Sequence, residues 1–229
     1  MKNILFRCSQ LGDLMSNARS KTEVLGLTAK KVVRKQWLKD VYGYQEVLTT
    51  APILKGLRME GESCDLIKQV LGGEFRKKYD DTTALTNDFI SGHPDIVLQK
   101  ESVVEDIKNP YTLATYLEAD VSKAYEYQGL GYLDLTGKDT FRLIYTLNPC
   151  SEEDIHNQLI RHGYALGNDT SEDFQMIETQ LRHNNDLITN ILKPEERVKV
   201  FTIERDDDKI QAIHDRVEEA REYYHTLKL

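Results

Sequence analysis

Cysteine is scarce and badly spaced for chemistry: Cys8, Cys64 and Cys150 are the whole complement of a 229-residue chain. Three thiols so far apart supply neither a disulfide framework nor a zinc-ligand pair, and an iron–sulfur cluster needs four thiolates. The pattern predicts a reducing, cytoplasmic setting. Long apolar runs are missing as well. None nears the ~20 residues of a membrane-spanning helix, so no membrane partner is expected. The opening MKNILFRCSQLGDL is charged too early to read as a secretory signal. There is no G-x-S-x-G elbow. Leu135-Thr136-Gly137-Lys138-Asp139 lacks the spacing of a phosphate-binding loop and has Asp139 in place of its metal-binding hydroxyl.

Hydrophobic residues make up 40% of the chain and charged residues 30%, the composition of a globular protein able to bury a core. The net charge of −8 hides a gradient. Residues 1–50 carry nine Lys/Arg against four Asp/Glu, whereas residues 151–229 carry 10 against 18. A basic front on an acidic chain is either a footprint for a polyanion or a solvated helix face.

The hydrophobic pattern predicts an amphipathic helix over Thr28–Lys39 with a basic outer face, and a second over Ile53–Leu71 stopped by Gly72-Gly73. Two β-rich runs, Asp95–Leu98 and Val103–Ile107, flank a polar turn and predict a hairpin. A helix over Leu113–Leu135 and a strand over Thr140–Leu147 follow. The rest reads as helices over Glu152–His162 and Ser171–Leu192, a strand at Val198–Ile203 and a last helix over about Asp207–Leu227. That order predicts a mixed α/β fold.

Polar side chains in apolar places single out candidates. On the helix over 53–71, Leu57, Glu60, Cys64, Ile67 and Leu71 form one stripe, and Glu60 is its only charged member. Glu62 lies on the opposite side and should be solvated. Along the second hairpin strand, alternation sends Asp106 and Lys108 to one face and Glu105 and Ile107 to the other. Asp95 starts the partner strand, so both aspartates belong at the open end of the hairpin. Two carboxylates beside a lysine suit Mg²⁺, which is held by one or two carboxylates plus water and phosphate oxygens. The alternative is a surface Asp106–Lys108 ion pair. Gln128 is the amide in a stripe with Val121, Ala124, Gly131, Tyr132 and Leu135.

In chain order these residues resemble the PD-(D/E)XK nuclease superfamily, and within it the phage lambda exonuclease-like viral recombination nucleases. Gly56-Leu-Arg-Met-Glu60 resembles the family's helix motif, Pro94-Asp95 its PD element and Asp106-Ile107-Lys108 its (D/E)-x-K element. Tyr127-Gln128-Gly129-Leu130-Gly131-Tyr132 resembles its glutamine helix. The spacings between the named positions are 35, 11 and 20 residues. Arg7-Cys8-Ser9 falls where the family has a phosphate-contacting turn. Asp106 stands where close relatives often have Glu, and His93 where Thr is common.

The resemblance implies a restriction-endonuclease-like α/β core, with a mixed central sheet flanked by helices, over residues 1–150. A largely helical extension would occupy 151–229. It implies a Mg²⁺- or Mn²⁺-dependent DNA exonuclease of phage-type recombination or DNA processing. Glu60, Asp95, Asp106 and the Ile107 carbonyl would hold metal, Lys108 would position or activate the attacking water, and Gln128 would order the site. Arg7, Ser9, Lys30, Lys31 and Arg34 would contact DNA. Implied partners are DNA, further copies of the chain, and a single-strand annealing or recombination protein. An endonuclease of the same fold and a catalytically silent nucleic-acid-binding module are the competing expectations.

Overall fold

The computed structural model describes residues 4–20, 22–46, 50–72, 83–167 and 172–229. Gly73 and Ser171, expected at a helix stop and a helix start, lie outside them. The chain runs through β1 (Phe6–Arg7), α1 (Leu11–Leu14), α2 (Leu27–Tyr42), α3 (Ala51–Arg58) and α4 (Glu60–Leu71). Next come β2 (Leu85–Thr86), β3 (Ile90–Gly92), β4 (Ile96–Leu98), β5 (Val103–Lys108), α5 (Leu113–Leu117) and α6 (Lys123–Thr136). It ends with β6 (Thr140–Thr146), α7 (Glu152–Leu166), α8 (Glu172–Asp186), β7 (Val198–Glu204) and α9 (Asp207–Thr226). The mixed α/β architecture expected from the sequence is the one observed.

The main sheet has the order β4-β5-β6-β7, and only its central pair, β5 and β6, is parallel. A parallel pair needs a crossover, here α5 and α6. The hairpin expected from the two β-rich runs forms as β4 and β5, with Ile96 opposite Glu105 and Leu98 opposite Val103. A smaller sheet, β1-β3-β2, places Arg7 beside Ser91, four residues before Asp95. From the acidic last third of the chain, β7 pairs with β6 along its whole length, and Ile210, Ile213 and Val217 of α9 share the main core with Leu11, Leu14 and Val33.

Side-chain alternation along β5 distributes its residues between two layers. Val104 joins the main core, while Val103 and Ile107 pack with Cys64, Ile96 and Leu98 in a smaller cluster under α4. The Val104 face is the face of Asp106 and Lys108, and α6 covers it. From Gln128 to Leu133 every residue of α6 is buried, so this helix runs through the interior. It replaces the single stripe expected there: the helix begins at Lys123, leaving Val121 before it, and Ala124 is exposed. The expected helix over 113–135 is two, because Ser122 caps a fresh start by accepting from Tyr125 N.

The helix expected over 53–71 is also two. It breaks at Met59 (φ −89°, ψ 4°), between Gly56 and Gly61, both weak helix formers. The break turns the ends of the expected stripe outward, Leu57 at 63% and Leu71 at 39% exposed, while its middle, Cys64 and Ile67, is buried as expected and Met59, Ser63 and Leu66 are buried beside it. Glu60 is half-buried and shares the face of Cys64 and Ile67, and it is also the first residue of α4, at an N-terminus that favours negative charge. Glu62 is exposed, as expected.

Gly129 lets α6 approach β6: a Cβ there would lie 2.2 Å from the Phe141 ring. Gly129→Ala should destabilise the protein by about 1–3 kcal/mol, the usual penalty of overpacking. Urea denaturation checks this; an unchanged midpoint would mean that α6 is not held against Phe141.

Candidate active site

A cleft of about 870 Å³ opens at the carboxyl end of β5, lined by Glu60, His93, Asp95, Asp106, Ile107 and Lys108 among others. Open α/β sheets bind ligands at such strand ends. The hairpin register brings its acids together. Asp95 Oδ2 accepts from Ile107 N at 2.7 Å, which fixes the first carboxylate to the strand that carries the second. Asp106 is 3% exposed. Its Oδ1 accepts from Gln128 Nε2 at 3.3 Å; the same amide donates to Tyr132 Oη at 3.0 Å, which donates to the His93 carbonyl at 3.1 Å. Asp106, Gln128 and Tyr132 thus form a chain of hydrogen bonds leading back to the loop before Asp95.

The other oxygen of Asp106 is different. Oδ2 is buried, and its close partner is Lys108 Nζ, 2.5 Å away as an ion pair. Lys108 also sits 5.0 Å from the centre of the Tyr125 ring.

Burial, the charge of Asp106 and, less strongly, that of Glu60 raise Asp95 from its ordinary 3.8 to about 7, against the Ile107 N–H and Lys108, which pull it down. Burial also raises Asp106, opposed by Lys108 and Tyr132. For Lys108, burial alone would favour the neutral amine. The charge and hydrogen bond of Asp106 outweigh it, with Tyr125 and Asp95 adding, and its pKa is raised. Asp106 thus favours the charged form of Lys108.

Among the described residues, no three His, Cys, Asp or Glu side chains stand as ready ligands of one ion. Asp95 and Asp106 are the converged pair; Glu60 lines the same cleft and its charge reaches Asp95. The donor set still suits a hard divalent cation, which takes one or two carboxylates and keeps its waters. Asp106, almost fully buried beside a second carboxylate, is the observation that fits it. In a strand, N–H and C=O of one residue leave on the same edge. Ile107, whose N–H goes to Asp95, thus turns its carbonyl toward that carboxylate too.

The basic candidates separate into two groups. Arg7, Ser9 and Lys31 line one cavity with Lys35 and Lys39. Lys30 and Arg34 face away from it: Lys30 pairs with Glu23 at 2.7 Å, and Arg34 Nε donates to Tyr223 Oη at 2.9 Å on α9. The sequence predicts the last helix but not that it lies against α2, so Lys30, Lys31 and Arg34 look alike in it. It also misses Ser63, Asn109, Thr146 and Asn148, which form a largely buried polar cluster beside the cleft. Ser63 and Asn109 stand among polar neighbours in the sequence and carry no local signal; only the fold makes the four partners.

No protein-family model matches the sequence, and no curated protein matches it significantly. Solved structures do. A phage-related exonuclease from Haemophilus somnus 129PT superposes with a TM-score of 0.76 at 24% identity, covering 97% of this chain and 94% of that one. An alkaline exonuclease from Laribacter hongkongensis gives 0.64 at 14% identity, over 98% and 89%. The same enzyme in complex with dAMP gives 0.63 at 13%, over 98% and 89%. The chain has the α/β fold of these exonucleases. The resemblance to lambda exonuclease-like PD-(D/E)XK nucleases is borne out at the level of that fold.

A carboxyl whose pKa is higher folded than unfolded destabilises the folded state as it ionises. In metal-free protein this loss sets in above about pH 4 and is complete above about pH 7, the span of the Asp95 shift. Asp95→Asn keeps an oxygen for Ile107 N and removes the charge. At pH 8 in EDTA it should raise the thermal midpoint by a few degrees, a gain that fades toward pH 4; a lower midpoint at pH 8 would contradict the electrostatic reading.

Proposed function

We propose that this chain is a divalent-metal-dependent nuclease that degrades DNA as an exonuclease. The observation that carries the reading is Asp106: an almost fully buried carboxylate beside a second carboxylate and a charged lysine in an open cleft. Burying like charges together is costly for folding. It is expected where a site must present negative charge to a cation. The shared fold with the two exonucleases supports the same activity, and the dAMP complex of the Laribacter enzyme shows a nucleotide bound by a protein of this fold.

Asp95 and Asp106 are the primary ligands in this reading, joined by the Ile107 carbonyl and by Glu60 from the start of α4. A bound Mg²⁺ or Mn²⁺ would supply Lewis acidity toward a phosphate oxygen and lower the pKa of water. Lys108, held protonated by Asp106, orients the attacking water and offsets the negative charge that builds on the phosphoryl group. Gln128 donates to Asp106 Oδ1 and so fixes which oxygen faces the cleft. Arg7, Ser9 and Lys31 contact DNA phosphates from the neighbouring cavity, reached along the β1–β3 pairing that leads to Asp95. Lys30 and Arg34 have no direct part in DNA contact on this reading, since their partners lie in the segment before α2 and in α9.

The test is digestion of linear duplex DNA with and without Mg²⁺, alongside covalently closed circles. Wild-type protein should shorten the linear substrate only with metal and leave the circle intact. Asp106→Ala should fold and lose at least on the order of 100-fold in rate. Digestion that persists in EDTA or in Asp106→Ala removes the proposal, and nicking of the circle makes the enzyme an endonuclease.

A further inference from the structure

Three buried polar side chains behind the cleft, Ser63, Thr146 and Asn148, meet the half-buried Asn109, which lines the cleft itself. Ser63 and Thr146 are fully buried, Asn148 is 1% exposed, and Asn109 completes the group. Ser63 and Thr146 each have one hydroxyl proton, so two of the close contacts, Thr146 Oγ1 to Ser63 Oγ at 3.0 Å and Ser63 Oγ to Asn109 Oδ1 at 3.1 Å, are left aside in an assignment that gives every side chain a partner. Ser63 Oγ donates to the Met59 carbonyl at 2.7 Å and accepts from Asn109 Nδ2 and Asn148 Nδ2, both at 2.8 Å. Asn109 Oδ1 accepts from Asn148 Nδ2 at 2.8 Å and Thr146 Oγ1 at 3.1 Å. Arg197 Nη2 donates to Asn148 Oδ1 at 3.3 Å.

The ends of this cluster matter most. Met59 is the residue at the α3–α4 break, immediately before Glu60, and Asn109 immediately follows Lys108. A largely buried network therefore joins the two backbone positions that set how far Glu60 stands from Asp106 and Lys108. An apolar core would hold α4 against the sheet without fixing its axial register; directional hydrogen bonds fix it.

We propose that Ser63, Asn109, Thr146 and Asn148 form a positioning cluster that sets the approach of Glu60 to the Asp95–Asp106 pair, and through it the affinity of the site for a divalent cation. The proposal rests on the metal-dependent reading above. Groups that orient metal ligands from behind are worth about 10–100-fold in metal affinity.

The experiment measures Mn²⁺ binding to the full-length protein by electron paramagnetic resonance of the free ion, with Tm recorded for each variant. Thr146→Val removes one hydroxyl at nearly constant volume, Ser63→Ala removes the hub, and Thr146→Ser restores the hydroxyl. Ser16→Ala deletes a hydrogen bond to Ala29 N at the start of α2, away from the cleft, and serves as a control for stability alone. Mn²⁺ affinity should fall about tenfold or more in Thr146→Val and Ser63→Ala, return in Thr146→Ser, and stay at the wild-type value in Ser16→Ala even if its Tm drops. Should Ser63→Ala fail to fold, Thr146→Val decides alone. Folded variants with wild-type affinity overturn the positioning role and leave the proposed function standing; a wild-type protein that takes up no Mn²⁺ overturns both.

Discussion

Two carboxylates and an ammonium held at the end of one strand are the constraint around which this molecule is arranged. Asp95 and Asp106 repel, and burial strengthens the repulsion because little water is left to screen it. What keeps them together is local: the Ile107 N–H on Asp95, the Lys108 ammonium beside Asp106, and the Gln128 amide on its other oxygen. Each compensation comes from within two residues of the acids or from the helix lying on them. The charge group can therefore be assembled only when the β4–β5 hairpin is in register and α6 is seated.

That requirement explains features of the fold that otherwise look unconnected. A shift of one residue in the hairpin would turn Asp106 to the opposite face, toward the cluster of Cys64, Ile96 and Val103. α6 runs through the interior so that Gln128 and Tyr132 can reach the β5 surface, and Gly129 allows the close approach. Tyr132 continues the chain of hydrogen bonds to the His93 carbonyl, tying the loop before Asp95 to the same helix. Glu60 reaches the cleft from a separate helix start, and its placement depends on the polar cluster behind it.

The hairpin, the pairing of Asp106 with Lys108 and the proximity of Asp95 were legible in the sequence because strand alternation is a strict period of two that survives any tertiary arrangement. Helix continuity was less legible. Periodicity over 53–71 and 113–135 is the same whether the helix is straight or restarts at Met59 or Ser122, so the exposed Leu57 looks buried in the sequence. The basic face of α2 was visible as composition, yet its division was not. Lys30 and Arg34 are turned toward Glu23 and Tyr223, and Tyr223 arrives from nearly two hundred residues away. The Ser63–Asn109–Thr146–Asn148 cluster escaped for the same reason: each member alone is an ordinary polar residue, and only long-range folding makes them partners.

The central claim is that the Asp95–Asp106 pair exists to share a divalent ion beside Lys108. Anomalous diffraction from a Mn²⁺-soaked crystal of the wild-type protein tests it most directly. The account predicts a manganese peak within coordinating distance of both carboxylates, at Asp106 Oδ2. A peak elsewhere, or none at saturating Mn²⁺, would contradict it.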